Sequence, residues 1–419
     1  MEQFINECRN TNNPKTLKAN LSKFEEVLER SHQNLDAALG HLDPKLQSLG
    51  YLFVLNAKIS DPNKNINLFV GQIQNFFLTF APEQIKVAGT IVCRVARHFT
   101  EYLIKLKLEI KGIAPLKRVI NSLTDKPTQL TPVHSDFLQL CILSKNYSLA
   151  LPVIDAEVNE FNVEQTQINI KDILTYFYYA GIIYATLKNY KKALDAFKFV
   201  FTAPATALSS IAIEAYKKYV LIHLIEYGVA PSFPRITSNV VQRNIKTHCK
   251  PYIDFSTTYS TNNQVDIQTK ALQNEESFKR DKNFGLVNLA IKSITRRNIK
   301  KLTQTFMTLS IRDISEKVGL PPAKTEQFVL KMIEDKEIFA TINQKDGMVS
   351  FNENPEDFSG PQTLLNLEKH IQKVAQLESV IRSVDETLTL STPFLKKLLN
   401  ENRKQSMFVE GGIEMDENQ

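Results

Sequence analysis

The pattern Lys145-Asn146-Tyr147, followed by Ala150, returns after 43 residues as Lys188-Asn189-Tyr190 with Ala193. A period of that length belongs to a two-helix unit with a long connector, and a unit of that size cannot bury its apolar face alone. Neighbouring units therefore have to stack. The second copy is the better formed. Phe177, Ala180, Gly181 and Tyr184 share one face of a first helix, Asn189-Tyr190 makes the turn, and Ala193 and Phe197 lead a second helix that stops near Pro204. The helix Ile211 to Tyr227 continues the stack and closes at Gly228 before Pro231.

The spacing resembles that of a tetratricopeptide repeat, in which small residues let paired helices approach while aromatic rings fill the gaps between units. Composition agrees: 13 glycines in 419 residues and no tryptophan leave little material for hairpins or phosphate-cradling loops. Residues 1–130 read as further helical repeats, broken at Asp61-Pro62, Ala81-Pro82 and Lys126-Pro127. The clearest is a helix from Glu83 to Lys107 with Ile85, Ala88, Val92, Val95, Phe99, Tyr102 and Leu106 on its buried side. Residues 131–284 form the repeat-like middle, with a second domain starting at about residue 200.

A linking helix over 285–306 carries Val287, Ile291, Ile294, Leu302 and Phe306 on one side and Lys292, Arg296, Arg297 and Lys300 on the other. Residues 307–358 then change character. A short extended stretch at Leu309, a helix Ile311–Val318, the turn Gly319-Leu320-Pro321-Pro322 and a helix Ala323–Glu334 with Phe328, Met332 and Ile333 facing in precede two apolar runs joined through Asp346-Gly347. Helix, turn, helix and hairpin describe a winged helix with a small sheet. Residues 362–400 form a terminal assembly helix whose Leu367, Ile371, Val374, Leu377, Ile381, Val384 and Leu388 step by three and four with no later element to cover them. The polar, acidic tail 401–419 reads as disordered. The fold class is mostly α: a helical-repeat solenoid, a winged helix and a bundle-forming helix.

Several function classes have no support. A net charge of +6 is too mild for a nucleic-acid coat, and the winged helix offsets Lys324 and Lys331 with Glu326, Glu334 and Asp335. The local basic patch at Lys292, Arg296, Arg297 and Lys300 reads as a solvated face or a contact for an acidic protein. The four cysteines are far apart, and no two histidines are spaced for a metal, so neither zinc nor a cofactor is expected. Cys249 beside His248 is not read as a thiol and base, because adjacent side chains point apart. Phosphate-loop, dinucleotide, zinc-protease and nucleophile-elbow motifs are missing, so the chain is not expected to be an enzyme. With no leader-like start and no long apolar run, it reads as soluble and intracellular, off the membrane.

This order of parts resembles the PCI proteins shared by the proteasome lid, the COP9 signalosome and translation initiation factor 3. Particular strings narrow the likeness: Tyr176-Phe-Tyr-Tyr-Ala-Gly-Ile-Ile-Tyr184, Thr202-Ala-Pro204, Glu214-Ala-Tyr-Lys-Lys-Tyr219, Tyr259-Ser-Thr-Asn-Asn263, Leu302 to Ser310 and Met332 to Phe351. They are similar to the subunit 3 family of the COP9 signalosome, over about Leu130 to Phe358. The resemblance implies a non-catalytic scaffold subunit, without a cofactor, of the complex that removes NEDD8 from cullins and so regulates cullin-RING ligases. It implies subunits 1 and 8 as neighbours, the zinc isopeptidase in another subunit, and residence in cytoplasm and nucleus. Two surfaces are expected to meet partners: the winged-helix edge at Leu309, Ile342, Met348, Val349 and Phe351, through the unpaired backbone of Met348–Phe351 or of the Leu309 strand, and the apolar stripe of the terminal helix. A proteasome-lid subunit and a winged-helix nucleic-acid binder are the alternatives.

Overall fold

The computed structural model describes residues 2–10, 13–31, 34–62, 64–156, 158, 160–204, 209–352 and 360–398, so the tail 401–419 lies outside the described residues. The chain divides into two compact units, residues 1–332 and 333–419.

The first unit is a succession of helices, several of which break at prolines. The helix Ile66–Thr79 starts where the Asn65 side chain accepts the Asn67 and Leu68 backbone N–H groups, and it ends ahead of Pro82. The single helix expected over Glu83–Lys107 is two, Pro82–Val87 and Gly89–Leu106. The chain bends at Ala88, and Gly89 then packs so tightly that a Cβ on it would stand 2.7 Å from the Gln165 carbonyl oxygen. The apolar face runs through the bend: Ile85, Ala88, Val92, Val95, Phe99 and Tyr102 are all buried.

The repeat turns have a shared backbone device. Lys145 and Lys188 adopt left-handed φ of 59° and 61°. The Asn146 and Asn189 N–H groups each donate 2.9 Å back to the carbonyl five residues earlier, at Cys141 and Tyr184. This is the bond that satisfies an otherwise open carbonyl at a helix end. A third copy, Lys282-Asn283-Phe284, does the same, with φ 56° at Lys282 and a 2.9 Å bond from Asn283 N–H to the Phe278 carbonyl. Sequence reading missed it because Tyr has become Phe and the following Ala has become Val287.

Between Ile170–Thr186 and Tyr190–Thr202 the close approach is at Gly181, against the Phe197 ring. Rings of Phe177 and Phe199 lie 4.1 Å apart, and Phe201 meets Tyr219 at 4.9 Å on the next helix, Ser210–Glu226. In the first copy the second helix is reduced to a turn, Tyr147–Leu149, and a short helix, Leu151–Ile154, restarted by Pro152. Strand β1, Gln129–Leu130, pairs in parallel with β2, Glu160–Phe161, and Lys126 closes on Glu160 at 2.8 Å.

The linking helix, Phe284–Thr305, leads to the short strand β3, Thr308–Ser310, and the helix Ile311–Val318, which closes at left-handed Gly319. In the following helix, Pro322–Glu334, the buried line is Thr325, Val329 and Met332. Phe328 and Ile333, expected to face in with Met332, flank that line half-buried, because steps of four and three put positions 325, 329 and 332 on one stripe.

In the second unit, β4, Ala340–Asn343, pairs antiparallel with β5, Met348–Phe351, with Ile342 opposite Val349. The turn uses left-handed Gly347 (φ 63°) and a 2.7 Å bond from the Asn343 amide to Asp346. The terminal helix runs from Pro361 to Thr389. It does not continue unbroken through 362–400: the chain turns at Leu390-Ser391, and residues 392–398 resume as helix with Pro393 in the first turn, where its missing N–H costs no intrahelical bond.

Candidate interaction surface

The terminal helix places all seven stripe residues in solvent. Leu367, Ile371, Val374, Leu377, Ile381, Val384 and Leu388 are 51–67% exposed, and no residue of Pro361–Thr389 is buried. Such a contiguous apolar face marks an association surface. The helix is long enough to hold its shape, and i,i+4 contacts from Gln372 to Glu368 (3.3 Å) and from Arg382 to Glu378 (2.9 Å) support it.

The residues expected at the winged-helix edge separate into two kinds. Leu309 and Val349 are buried, at 8% and 0% exposure, so their side chains serve the core. Ile342, Met348 and Phe351 are half-buried, and Ile342 sits in β4.

The basic face of the linking helix is smaller than its sequence suggests. Lys292 and Lys300 are exposed and Arg296 is half-buried. Arg297 turns to the end of Ser210–Glu226, where its guanidinium donates to the carbonyls of Leu224 (3.5 Å), Ile225 (3.2 Å) and Glu226 (3.2 Å). The Ile225 and Glu226 carbonyls are ones a helix end leaves open, while that of Leu224 also accepts the Gly228 N–H at 3.0 Å, so Arg297 acts as a cap from a distant helix. Gly228, at φ 72°, makes room for it: a Cβ there would fall 1.0 Å from Nη1.

Sequence reading did not find the charge cluster joining the helices Gly89–Leu106, Pro132–Leu143 and Ile170–Thr186. Arg97 donates to Asp172 at 2.6 Å, and its Nε lies 3.7 Å from Asp136 Oδ1. Asp172 also caps its own helix by accepting the Asn169 N–H at 3.3 Å. Burial pushes the Asp136 carboxyl up to about 7, opposed by Arg97 and reinforced by Asp172 and Glu101. Two residues earlier, buried His134 is pushed down to about 4, and its Nδ1 accepts the Thr131 N–H at 3.1 Å. No spacing rule would assemble this cluster, since its members lie 39 and 75 positions from Arg97.

The four cysteines are free and buried, and burial pushes Cys8, Cys93 and Cys249 up to about 12 and Cys141 to about 11. Such thiols are poor nucleophiles. His248 is exposed while Cys249 is buried, so the two do not face each other. Among the described residues no three His, Cys, Asp or Glu side chains gather to hold a metal, and no helix is long and apolar enough to cross a membrane.

Comparison with known proteins adds the family. Residues 11–241 match the model of the N-terminal helical repeats of COP9 signalosome complex subunit 3, and residues 270–353 match the PCI domain. The chain is 56% identical over 400 residues to the COP9 signalosome complex subunit 3 of Dictyostelium discoideum, covering 95% of each chain. It is 34% identical over 421 residues to that of Drosophila melanogaster, covering 95% of this chain and 94% of the relative. The match reaches residue 11, so the helices before Leu130 belong to the same likeness.

Proposed function

The chain belongs to the COP9 signalosome subunit 3 family, and from that membership we propose that it is a non-catalytic scaffold subunit of the COP9 signalosome, working in the removal of NEDD8 from cullins and thereby in the control of cullin-RING ligases. The observation that carries the reading is the uncovered stripe on Pro361–Thr389. Full burial of a large apolar side chain is worth about 1.5–3 kcal/mol, and roughly half of that is still available at each half-exposed stripe position. Seven positions then supply on the order of 5–10 kcal/mol, similar to the 4–15 kcal/mol that association costs in lost freedom. One helix alone would thus hold a partner weakly. Within a bundle already tethered by the solenoid and the winged-helix region it becomes a lock.

Other signalosome subunits are the partners in this reading, with subunits 1 and 8 as the immediate neighbours and the cytoplasm and nucleus as the place of work. The hairpin of Ala340–Asn343 and Met348–Phe351 offers backbone for strand pairing, and the terminal helix offers the bundle contact. Catalysis would reside in another subunit.

The test is the triple variant Ile371→Glu, Val374→Glu, Ile381→Glu in the full chain. All three positions are solvent-exposed, so the isolated protein should keep its circular dichroism and thermal midpoint while incorporation into the complex is lost. Normal incorporation of that variant would remove the terminal helix from the assembly.

A further inference from the structure

A cleft of about 400 Å³ opens among the helices Gly89–Leu106, Pro132–Leu143 and Ile170–Thr186, at the lower end of the roughly 300–1,000 Å³ typical of ligand sites. Its wall includes Asp136, which is 7% exposed and whose Oδ2 has no hydrogen-bond partner among the described residues. A buried acceptor of that kind calls for a donor. The surrounding groups do not supply one. Arg97 is committed to Asp172 and to the other oxygen of Asp136.

Three of the hydroxyls on the wall are likewise committed, while the Tyr178 and Tyr179 hydroxyls and the Gln139 amide also line it. Thr100 donates to the Ala96 carbonyl (3.0 Å), Ser135 to Pro132 (2.8 Å) and Thr175 to Lys171 (2.7 Å). With their hydrogens turned back onto their own helices, what these three offer the cleft is lone pairs. The ionisable lining sets Arg97 and Lys171 against Glu101, Asp136 and Asp172, a formal excess of one negative charge. The unpartnered Asp136 oxygen, the lone pairs of these three hydroxyls and the net negative charge favour a cation that brings N–H donors.

We propose that this cleft receives one cationic side chain, the ammonium of a lysine or the guanidinium of an arginine, from a neighbouring protein, seated against Asp136 Oδ2. The inference rests on the scaffold reading only for the source of the side chain, since the chemistry of the cleft is independent of it. A bound cation would also hold Asp136 ionised at neutral pH, against the burial that favours its protonated form.

The test uses the full chain with ¹³Cγ-labelled aspartate, the Asp136 resonance being identified by its loss in Asp136→Asn. n-Butylammonium and ethylguanidinium chloride are titrated in, with n-butanol and matched sodium chloride as controls. Either cation should shift the Asp136 resonance and lower its titration midpoint, whereas the controls should do neither. Thr175→Leu adds bulk to the cleft wall without touching a charge and should weaken the response about tenfold, even if Asp136→Asn fails to fold. Equal responses to cation and butanol, or an unchanged response in Thr175→Leu, would overturn the site. Incorporation of Thr175→Leu into the complex decides the source. A clear loss there supports a neighbour's side chain, and unchanged incorporation of a variant whose amine response is weakened overturns it in favour of a free amine. Should the parent chain join no complex at all, the scaffold reading fails while the titration still judges the cleft.

Discussion

Replacing Gly181 by Ala puts the helix-packing account at risk. An ideal Cβ at this position would stand 2.7, 2.8 and 2.9 Å from Cε1, Cζ and Cδ1 of Phe197, where carbon atoms normally rest about 3.5–4.0 Å apart. Three consecutive ring atoms are involved and Phe197 is fully buried, so no small rotation of the ring clears the clash. The helices Ile170–Thr186 and Tyr190–Thr202 would have to separate by roughly an ångström, an overpacking cost of about 1–3 kcal/mol. Against this stands a gain of about 1 kcal/mol from replacing a mid-helix glycine. Gly181→Ala should therefore be neutral to destabilising by about 2 kcal/mol. Gly71→Ala is the control, because Gly71 sits mid-helix in Ile66–Thr79 with nothing within 4 Å of the new methyl. It should stabilise by about 0.5–1 kcal/mol. Urea unfolding followed by circular dichroism reads the two midpoints, and since the propensity gain is common to both, the gap between them isolates the overpacking cost. A Gly181→Ala midpoint raised as far as that of Gly71→Ala, with unchanged slope, would refute the close approach at Gly181.

The remaining predictions concern charge and capping. Folded His134 has shed a proton that the unfolded chain still holds between about pH 4 and 6.5, so it makes stability rise with pH there; Asp136 keeps a proton the unfolded chain loses between 3.8 and about 7, so it makes stability fall. Relative to the parent, His134→Gln, which preserves the cap on Thr131, should lose stability with rising pH over the first window and Asp136→Asn should gain it over the second, each by at most about 1.4 kcal/mol per pH unit in urea midpoints; parallel profiles would contradict the pair. Lys217→Met removes the cation that lies 2.7 Å from Glu214 and 2.8 Å from Asp281. It should cost about 3 kcal/mol, the low end for breaking a buried pair because Glu214 is partly exposed, and a change below the error of the thermal midpoint would dismiss the network. Arg297→Ala and Gly228→Ala should each destabilise by about 1–3 kcal/mol through the same three carbonyls, so the double variant should fall short of the sum. Full additivity would mean that the two residues act separately.

What could be read from the residues was whatever obeys a local period. The helices Ile170–Thr186, Tyr190–Thr202 and Ser210–Glu226 and the hairpin at Gly347 follow from apolar spacing and turn chemistry, and they stand where those signals put them. The terminal helix was legible for the same reason, since its stripe is periodic whether or not anything covers it. Failures came where a distant contact overrode the local pattern. The bend at Ala88 depends on Gly89 meeting Gln165, and the periodicity of the apolar face runs through it unbroken. Arg297 looked like a member of a basic face because its helix neighbours are basic, yet its guanidinium caps a helix 71 to 73 positions earlier. The Arg97–Asp136–Asp172 cluster was invisible, because only folding brings those side chains together.

Affinity capture of the tagged full chain from its own cells, with mass spectrometry of the partners and an assay of the eluate on a neddylated cullin, decides the scaffold role. A set of PCI subunits with a zinc isopeptidase, and cullin-cleaving activity that the purified chain lacks, is the expected result. A chain that elutes alone, with nucleic acid, or with proteasomal ATPases and lid proteins would contradict it.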